Sequence, residues 1–588
     1  MCGINGIVDF NGRDSEDLPL KITTMQQAIK HRGPDDSEVV AFEKAAFGMN
    51  RLAIVAPDVR STVQSTRDYI RFAVFNGEIV NHIDLRRGLK NAPGVDLGDS
   101  AVILPLYEEL GEKYVEMLAG MFAIAIYNRL NNTLQLWRDP LGIKPLYYSH
   151  SNGRVVFSSE AKAVYAVSDQ TQEVDFPSID DCLKYRFHPG RATVFPSIQR
   201  VLPGETITFR DDKEAPRQYW ALRPNDKASV SKETERGADE FRRLLVRVVQ
   251  ENTQADVKGG FFVSGGLDSS LITAMGLQTD SSYRQPLSLR FTPNAVEDEP
   301  YAEMLEKHLG TRFEWVDVSD DTARKTLEEA TPFMDEPLEN PIHIGTYLLA
   351  KRAQEMNIKS VLTGDGADEF FIGYSRHKPW FEEGANPTVE YPPRLWTLSP
   401  QEADRLYTDE AKSQIRPMVG YSGEPIEPFL NVDQALQFER FDRLTEYHCN
   451  RLDRMTMARG VEARVPFLDR RIVDFALGIP HEGIVGTSGK QFLQAVAKPF
   501  LPSEILYRSK VHFPSLADQW TSGEGAVWAS EILLDSNAQT RRWLKSDALE
   551  QYIQEHDSKK WGHGRVIWAL VTLELWLQSL SSRRGGKQ

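Results

Sequence analysis

The spacing of apolar residues changes partway along this chain, and that change limits the folds open to it. Up to about residue 210, short apolar stretches recur at 4–10, 46–55, 70–75, 121–127, 133–137 and 155–158, separated by clusters of Gly, Asn and Asp. Short runs bounded by turn residues predict a β-rich region. One segment, 100–109, is helical instead, with Val102, Ile103, Leu106 and Tyr107 on one face. From about residue 236 the pattern alternates. It predicts helix over 236–250, strand at 260–263, helix at 271–277, a strand ending near Phe291, helix over 301–309 and strand at 360–363. Strands alternating with helices predict a parallel α/β sheet. The stretch 211–235 is rich in Asp, Lys, Pro and Ser and reads as a linker. An apolar helix over 565–580, with Trp568 and Trp576, is expected to pack on the second core. The chain's 588 residues exceed what one core can organise, so the expected units are 1–210 and 236–588, joined by 211–235.

Bulk composition narrows the function classes. Hydrophobic residues make up 41% and charged residues 26%, the balance of a globular protein in water. The net charge of −15 argues against a nucleic-acid surface. No apolar run approaches the ~20 residues that span a bilayer, and MCGINGIVDF lacks a signal-peptide core. Three widely spaced cysteines, Cys2, Cys182 and Cys449, suggest neither a disulfide framework nor a zinc site, so a reducing cytoplasm is the expected location.

Cys2 follows the initiator methionine and precedes Gly3. Methionine before so small a residue is usually removed. A free α-amine with a pKa of roughly 7.7–8.0 could then act as base for its own thiol. His31-Arg32-Gly33-Pro34-Asp35-Asp36 follows, then Asn76-Gly77-Glu78 after an apolar strand, where Asn is an oxyanion donor and Gly permits close backbone approach. Singly each reads as a turn. Together, with residues 139–148 (DPLGIKPLYY) and 158–162 (SSEAK), they resemble the class II glutamine amidotransferase domain, an N-terminal-nucleophile hydrolase with an αββα sandwich. By that resemblance Cys2 attacks glutamine's side-chain amide, and Asn76 and Gly77 form the oxyanion hole. Arg51, with Leu52, Ile54 and Val55, holds the α-carboxylate. Glu78 and Asp99 hold the α-amine. A zwitterion needs one cation and one or two anions, and a guanidinium fork suits a carboxylate. Departures from the family's usual text are Met49-Asn50, Gly98 and 61–66, where only Gln64 is kept.

The second half opens its alternating pattern with Gly260-Phe261-Phe262-Val263, then Ser264-Gly265-Gly266-Leu267-Asp268-Ser269-Ser270, then helix. A glycine turn between strand and helix N-terminus is an anion site. No Gly-Lys-Ser/Thr follows, so it is not a Walker loop. It resembles the PP-loop of ATP pyrophosphatases, which implies ATP cleaved to AMP and pyrophosphate, with Asp268 as a Mg²⁺ ligand.

Val361 to Glu369 (VLTGDGADE) is a second strand ending in an acidic glycine turn, and its spacing does not fit an EF-hand. With 453–458 (DRMTMA) and 461–469 (VEARVPFLD) it resembles the asparagine-synthetase family. That resemblance implies that Thr363 and Gly364 contact nucleotide and that Asp368 shares Mg²⁺ with Asp268. It places Asp365 beside an acyl-adenylate and has Val263 and Leu289 line the adenosine pocket. Lys490, after Gly489, would neutralise departing pyrophosphate. Arg464 reads equally well as a structural partner of a buried acid. Gly345, Ile372 and Lys510-Val511-His512-Phe513 depart from the family text near the acceptor side.

The expected chain is therefore a two-domain α/β and α+β enzyme. An N-terminal glutaminase supplies ammonia to a C-terminal parallel-sheet synthetase that uses ATP and Mg²⁺ to amidate a carboxylate. L-aspartate, giving asparagine, is the simplest acceptor. A non-aspartate acid in a natural-product pathway stays open, as does assembly, a homodimer included. The expected partners are small molecules, with neither nucleic acid nor membrane.

Overall fold

The computed structural model describes residues 2–585 except 13–16, 61–62, 169–172, 223–233, 293–297, 338–339, 375, 378–379, 381–394, 422, 424–431, 480–489, 509–515 and 561. Gly489 and Lys510-Val511-His512-Phe513 lie outside the described residues.

The first half is two six-stranded sheets face to face. One runs β10(Gln199–Arg200)-β8(Tyr147–Ser151)-β9(Arg154–Ser158)-β1(Cys2–Asp9)-β3(Ala45–Arg51)-β2(Asp36–Ala41). The other runs β12(Lys213–Gln218)-β11(Glu205–Arg210)-β7(Thr133–Arg138)-β6(Gly120–Asn128)-β5(Arg71–Ile79)-β4(Gln64–Ser65). All pairings are antiparallel, and alternate side chains face alternate layers. Ile4 and Val8 of β1 meet Phe72 and Val74 of β5 between the sheets. Ile7 points outward to helices Leu18–Ala28, Ala161–Ala166 and Phe176–Tyr185. Phe75 and Ile79 point outward on the other side, to helix Ile103–Leu110. The expected αββα sandwich is present.

Part of the stretch read as linker belongs to this sandwich. β12 pairs with β11 along its whole length through a tight turn in which Asp211 and Asp212 both take positive φ, +49° and +61°. All six of its side chains are exposed, so no apolar alternation marks it. Its Pro216 is tolerable because this is an edge strand.

The second half holds a five-stranded parallel sheet, β15(Glu314–Val318)-β14(Tyr283–Phe291)-β13(Gly259–Phe262)-β16(Ser360–Leu362)-β17(Glu462–Arg464). Phe261, Val361 and Leu287 are buried between its helices, and both-face burial explains the short, wholly apolar strands. Helix Leu267–Leu277 starts directly after the turn following β13. The helix Gly564–Gly585 packs on the second half as expected, with Trp568 against Trp520 and Trp528. It also reaches the first half, where Trp576 stands against Phe195. A helix apolar on most of its circumference is buried between layers rather than laid on one.

Candidate active sites

Register sets the first site. β1 and β3 pair with Cys2 opposite Arg51, and the neighbouring sheet's β5 brings Asn76, Gly77 and Glu78 alongside. The Cys2 backbone nitrogen donates to Asn76 Oδ1 at 3.1 Å. That bond turns the other end of the amide, Nδ2, into a buried position with no hydrogen-bond partner among the described residues. A buried donor without an acceptor costs about 1–3 kcal/mol unless something arrives to take it. Gly77 has φ +154°, and a Cβ there would stand 2.0 Å from the Met121 carbonyl oxygen, so no other residue fits. Burial pushes the Cys2 thiol up. The chain's amino terminus, a hydrogen bond from the Leu52 N–H and the Arg51 charge pull it back.

The Arg51 fork is held by carbonyls of the following loop. Nη2 donates to Ala56 at 2.6 Å and Val55 at 3.1 Å, and Nη1 to Pro57 at 3.3 Å and to Val59. Leu52 and Ile54 pack against Met457 of the second half. The same loop is pinned by Asp256, whose carboxylate accepts from Ala56 N at 2.8 Å and whose N–H donates to the Ile54 carbonyl at 3.0 Å. Asp99 is buried and accepts from Ile79 N at 2.9 Å. Behind the nucleophile, Arg32 is fully buried. It bonds the Cys2 carbonyl at 3.4 Å, Glu160 at 2.9 Å and Asp453 at 2.7 and 3.1 Å.

The second site is a cavity of about 790 Å³. Val263, Ser264, Gly266, Asp268, Ser269 and Leu289 line it from the first loop and its flanks, and Thr363, Gly364, Asp365 and Asp368 from the second. Gly364 lets the two loops touch, since a Cβ there would lie 2.6 Å from Ser269 N. Ser264 Oγ and Ser269 Oγ are 3.1 Å apart across the turn. Ser270 Oγ, at the first turn of the helix, is buried and has no hydrogen-bond partner among the described residues. Gly265, Leu267 and Ser270 carry the turn without lining the cavity.

Lys490 lies at the head of helix Gln491–Ala497 in a left-handed conformation, φ +54°. Its Nζ contacts Asp268 and Asp368 together. Burial works against its charge, but the two carboxylates outweigh that and hold its pKa above the ordinary lysine value. Two carboxylates converging on one cation are a donor set that suits Mg²⁺ on a polyphosphate. Asp365 is held by Arg451 Nη2 at 2.9 Å, and Arg451 is held in turn by Thr346 Oγ1 at 3.0 Å.

Most of the expected residues gather in two places, with Gly265, Leu267 and Ser270 outside the second cavity's lining, and the sequence missed what joins them. Arg464 pairs with Glu78, an acid of the first half. Arg186, also of the first half, lines the cavity of the second, as does Arg443. Arg443 is 4% exposed, and among the described residues its Nη1 has no hydrogen-bond partner. The family-like text around Asp453 and Arg464 does not name partners across hundreds of residues. No described helix is long and apolar enough to cross a membrane.

Comparison with known proteins agrees with this division. The glutamine amidotransferase domain family matches residues 1–220, and the asparagine synthase family matches residues 240–578. "Asparagine synthetase [glutamine-hydrolyzing] 1" of Bacillus subtilis is 29% identical, over 98% of this chain and 96% of its own length. "Putative asparagine synthetase [glutamine-hydrolyzing]" of Mycobacterium tuberculosis is 26% identical over 98% and 97%. "Putative asparagine synthetase [glutamine-hydrolyzing] 1" of Methanocaldococcus jannaschii is 29% identical over 89% and 94%. With a phosphate-loop sheet matched over more than half its length and a nucleophile sandwich matched ahead of it, the chain belongs to the asparagine synthase family.

Proposed function

We propose that this chain is a carbon–nitrogen ligase that takes ammonia from glutamine and uses ATP to turn a carboxylate into an amide. The observation that carries the reading is the pairing, in one chain, of a cysteine beside a buried amide donor unpartnered among the described residues with a phosphate turn facing a clamped lysine. At the first site, the Cys2 sulfur adds to the glutamine Cδ. Asn76 Nδ2 and the Gly77 N–H take the developing oxyanion. Ammonia leaves with a proton, and water hydrolyses the thioester to glutamate. Arg51, oriented by the loop carbonyls that accept from it, sets the α-carboxylate end, and Glu78 and Asp99 the α-ammonium end.

At the second site, the acceptor carboxylate attacks the α-phosphorus and pyrophosphate departs. Ammonia then adds to the acyl carbon and AMP departs. The turn at 264–270 binds the phosphates through N–H and hydroxyl groups, and Lys490 balances charge on the leaving pyrophosphate. Asp268 and Asp368 would hold Mg²⁺, which supplies charge neutralisation on the phosphates when bound.

L-aspartate is the simplest acceptor. The test is AMP, pyrophosphate and asparagine formation from aspartate, glutamine and ATP. Turnover absent with aspartate but present with another acid would replace aspartate and keep the mechanism. ADP and phosphate as products would sink the adenylate. The non-aspartate alternative keeps one supporting observation: Arg186 and Arg443 line the same cavity as Asp365.

A further inference from the structure

Arg464 belongs by sequence to the second half, yet its side chain ends in the first. Its Nη2 lies 2.9 Å from Glu78 Oε2. The guanidinium cannot swing away: Nη1 donates to the carbonyls of Asn252 and Gln254, at 2.8 Å each, and Nε donates to Glu462 at 2.5 Å. It is wholly buried. The same residue's backbone carbonyl accepts from Thr363 N at 3.0 Å, where the second ATP loop leaves β16.

Glu78 needs such a partner. Burial pushes its carboxyl well above the ordinary range, Arg464 is the strongest influence pulling it down, and Asp99 and Glu462 push it further up. A buried carboxylate stripped of its cation takes up a proton instead. A protonated Glu78 would no longer offer an anion to an ammonium. A carboxylate has two oxygens, so one can face a guanidinium while the other faces a ligand. The loop that carries Leu52–Ala56 is backed from the same side, by Met457 and Asp256.

We infer that Arg464 is a positioning residue of the glutamine site: the ATP-using half supplies the cation that fixes Glu78 as an aimed carboxylate, so the site is complete only with the two halves docked. This rests on the reading of Glu78 as the holder of glutamine's α-ammonium. A guanidinium that only filled the interface would not need a fork shared between one acid of the first half and three groups of the second.

The test uses the full chain and needs no acceptor. Glutamate release gives KM for glutamine. The glutamine concentration that protects Cys2 from iodoacetamide gives a second measure of binding, and the unprotected alkylation rate reports whether the Cys2 surroundings are intact. Arg464→Gln is expected to raise both KM and the protecting concentration by about tenfold or more, the low end of what a close buried charge pair contributes, with the unprotected rate held. Arg464→Lys, which keeps the charge and loses the fork, is expected to give a smaller rise in both, and it carries the test if Arg464→Gln does not fold. Glu78→Gln should raise both measures as Arg464→Gln does. If Glu78→Gln raises them and neither Arg464 variant does, the inference is overturned while the reading of Glu78 stands. If Glu78→Gln changes neither, that reading itself fails and takes the inference with it. A changed unprotected rate in both Arg464 variants would mean a packing role alone, and would also overturn it.

Discussion

The two sites are built by opposite means. The Cys2 site is made of residues inside paired strands: Cys2 on β1, Arg51 across from it on β3, and Asn76–Glu78 on β5. Their spacing is set by sheet register, and a one-residue slip would turn each side chain to the other face. The phosphate site sits where strands end. Its groups ride on the turns after β13 and β16 and on a lysine about 120 residues further along the chain, and they are held by pairing with one another. A site held by register keeps its geometry when one charge is removed. A site held by mutual charge pairing should loosen as a whole.

The sharpest way to break that comparison is Cys2→Ala. It should lower glutamine-dependent amidation by on the order of 10³-fold or more while ammonium salts still drive AMP and pyrophosphate release. Survival of glutamine use would remove the nucleophile assignment and with it the register-built site. Next is Lys490→Met. Pyrophosphate release with ammonia should fall by about 10²–10³-fold, as for other removals of a transition-state charge. Because the lysine clamps Asp268 and Asp368, the KM for MgATP should shift with it. An unchanged KM would show that the two acids hold their places unaided. The smallest expected effect concerns Ile372, which lies four residues beyond Asp368 with φ +54°, a conformation that costs a β-branched residue roughly 1–2 kcal/mol. Ile372→Gly gives up a buried side chain but releases that strain. Denaturant unfolding should therefore show a loss about 1–2 kcal/mol smaller than for Ile358→Gly, a truncation in the same core. Equal losses would mean that the loop beside Asp368 carries no strain.

This contrast also explains how much was legible in the sequence. Apolar runs marked β1, β3, β5, β6, β7 and β9 to within about four residues, because both faces of these strands are buried, while β2, β4, β8, β10 and β11 were not marked. The strand at 213–218 was invisible, since an exposed edge shows no alternation. The two ATP loops were readable because short range fixes them: strand, glycine turn and helix are consecutive. Lys490 and Arg464 were present as letters, but their partners lie at Asp268 and Glu78, and nothing in local spacing encodes a contact across hundreds of residues. Arg443 left no mark at all. A buried cation facing a cavity reads, in one dimension, as an ordinary charge on a helix.

The helix Gly564–Gly585 is the last piece of a core that also holds Leu18, Ile22, Phe176 and Phe195 of the first half. During synthesis those residues emerge first and wait. Between β12 and that helix lie roughly 350 residues, ~20–70 s of translation at 5–20 residues per second. For that interval the outer helical layer of the nucleophile sandwich lacks part of its apolar cover, Trp576 against Phe195 included. The glutaminase side is thus the earlier to be made and the later to be finished, which makes a ribosome-stalled chain, rather than the mature enzyme, the species most exposed to aggregation and to chaperones.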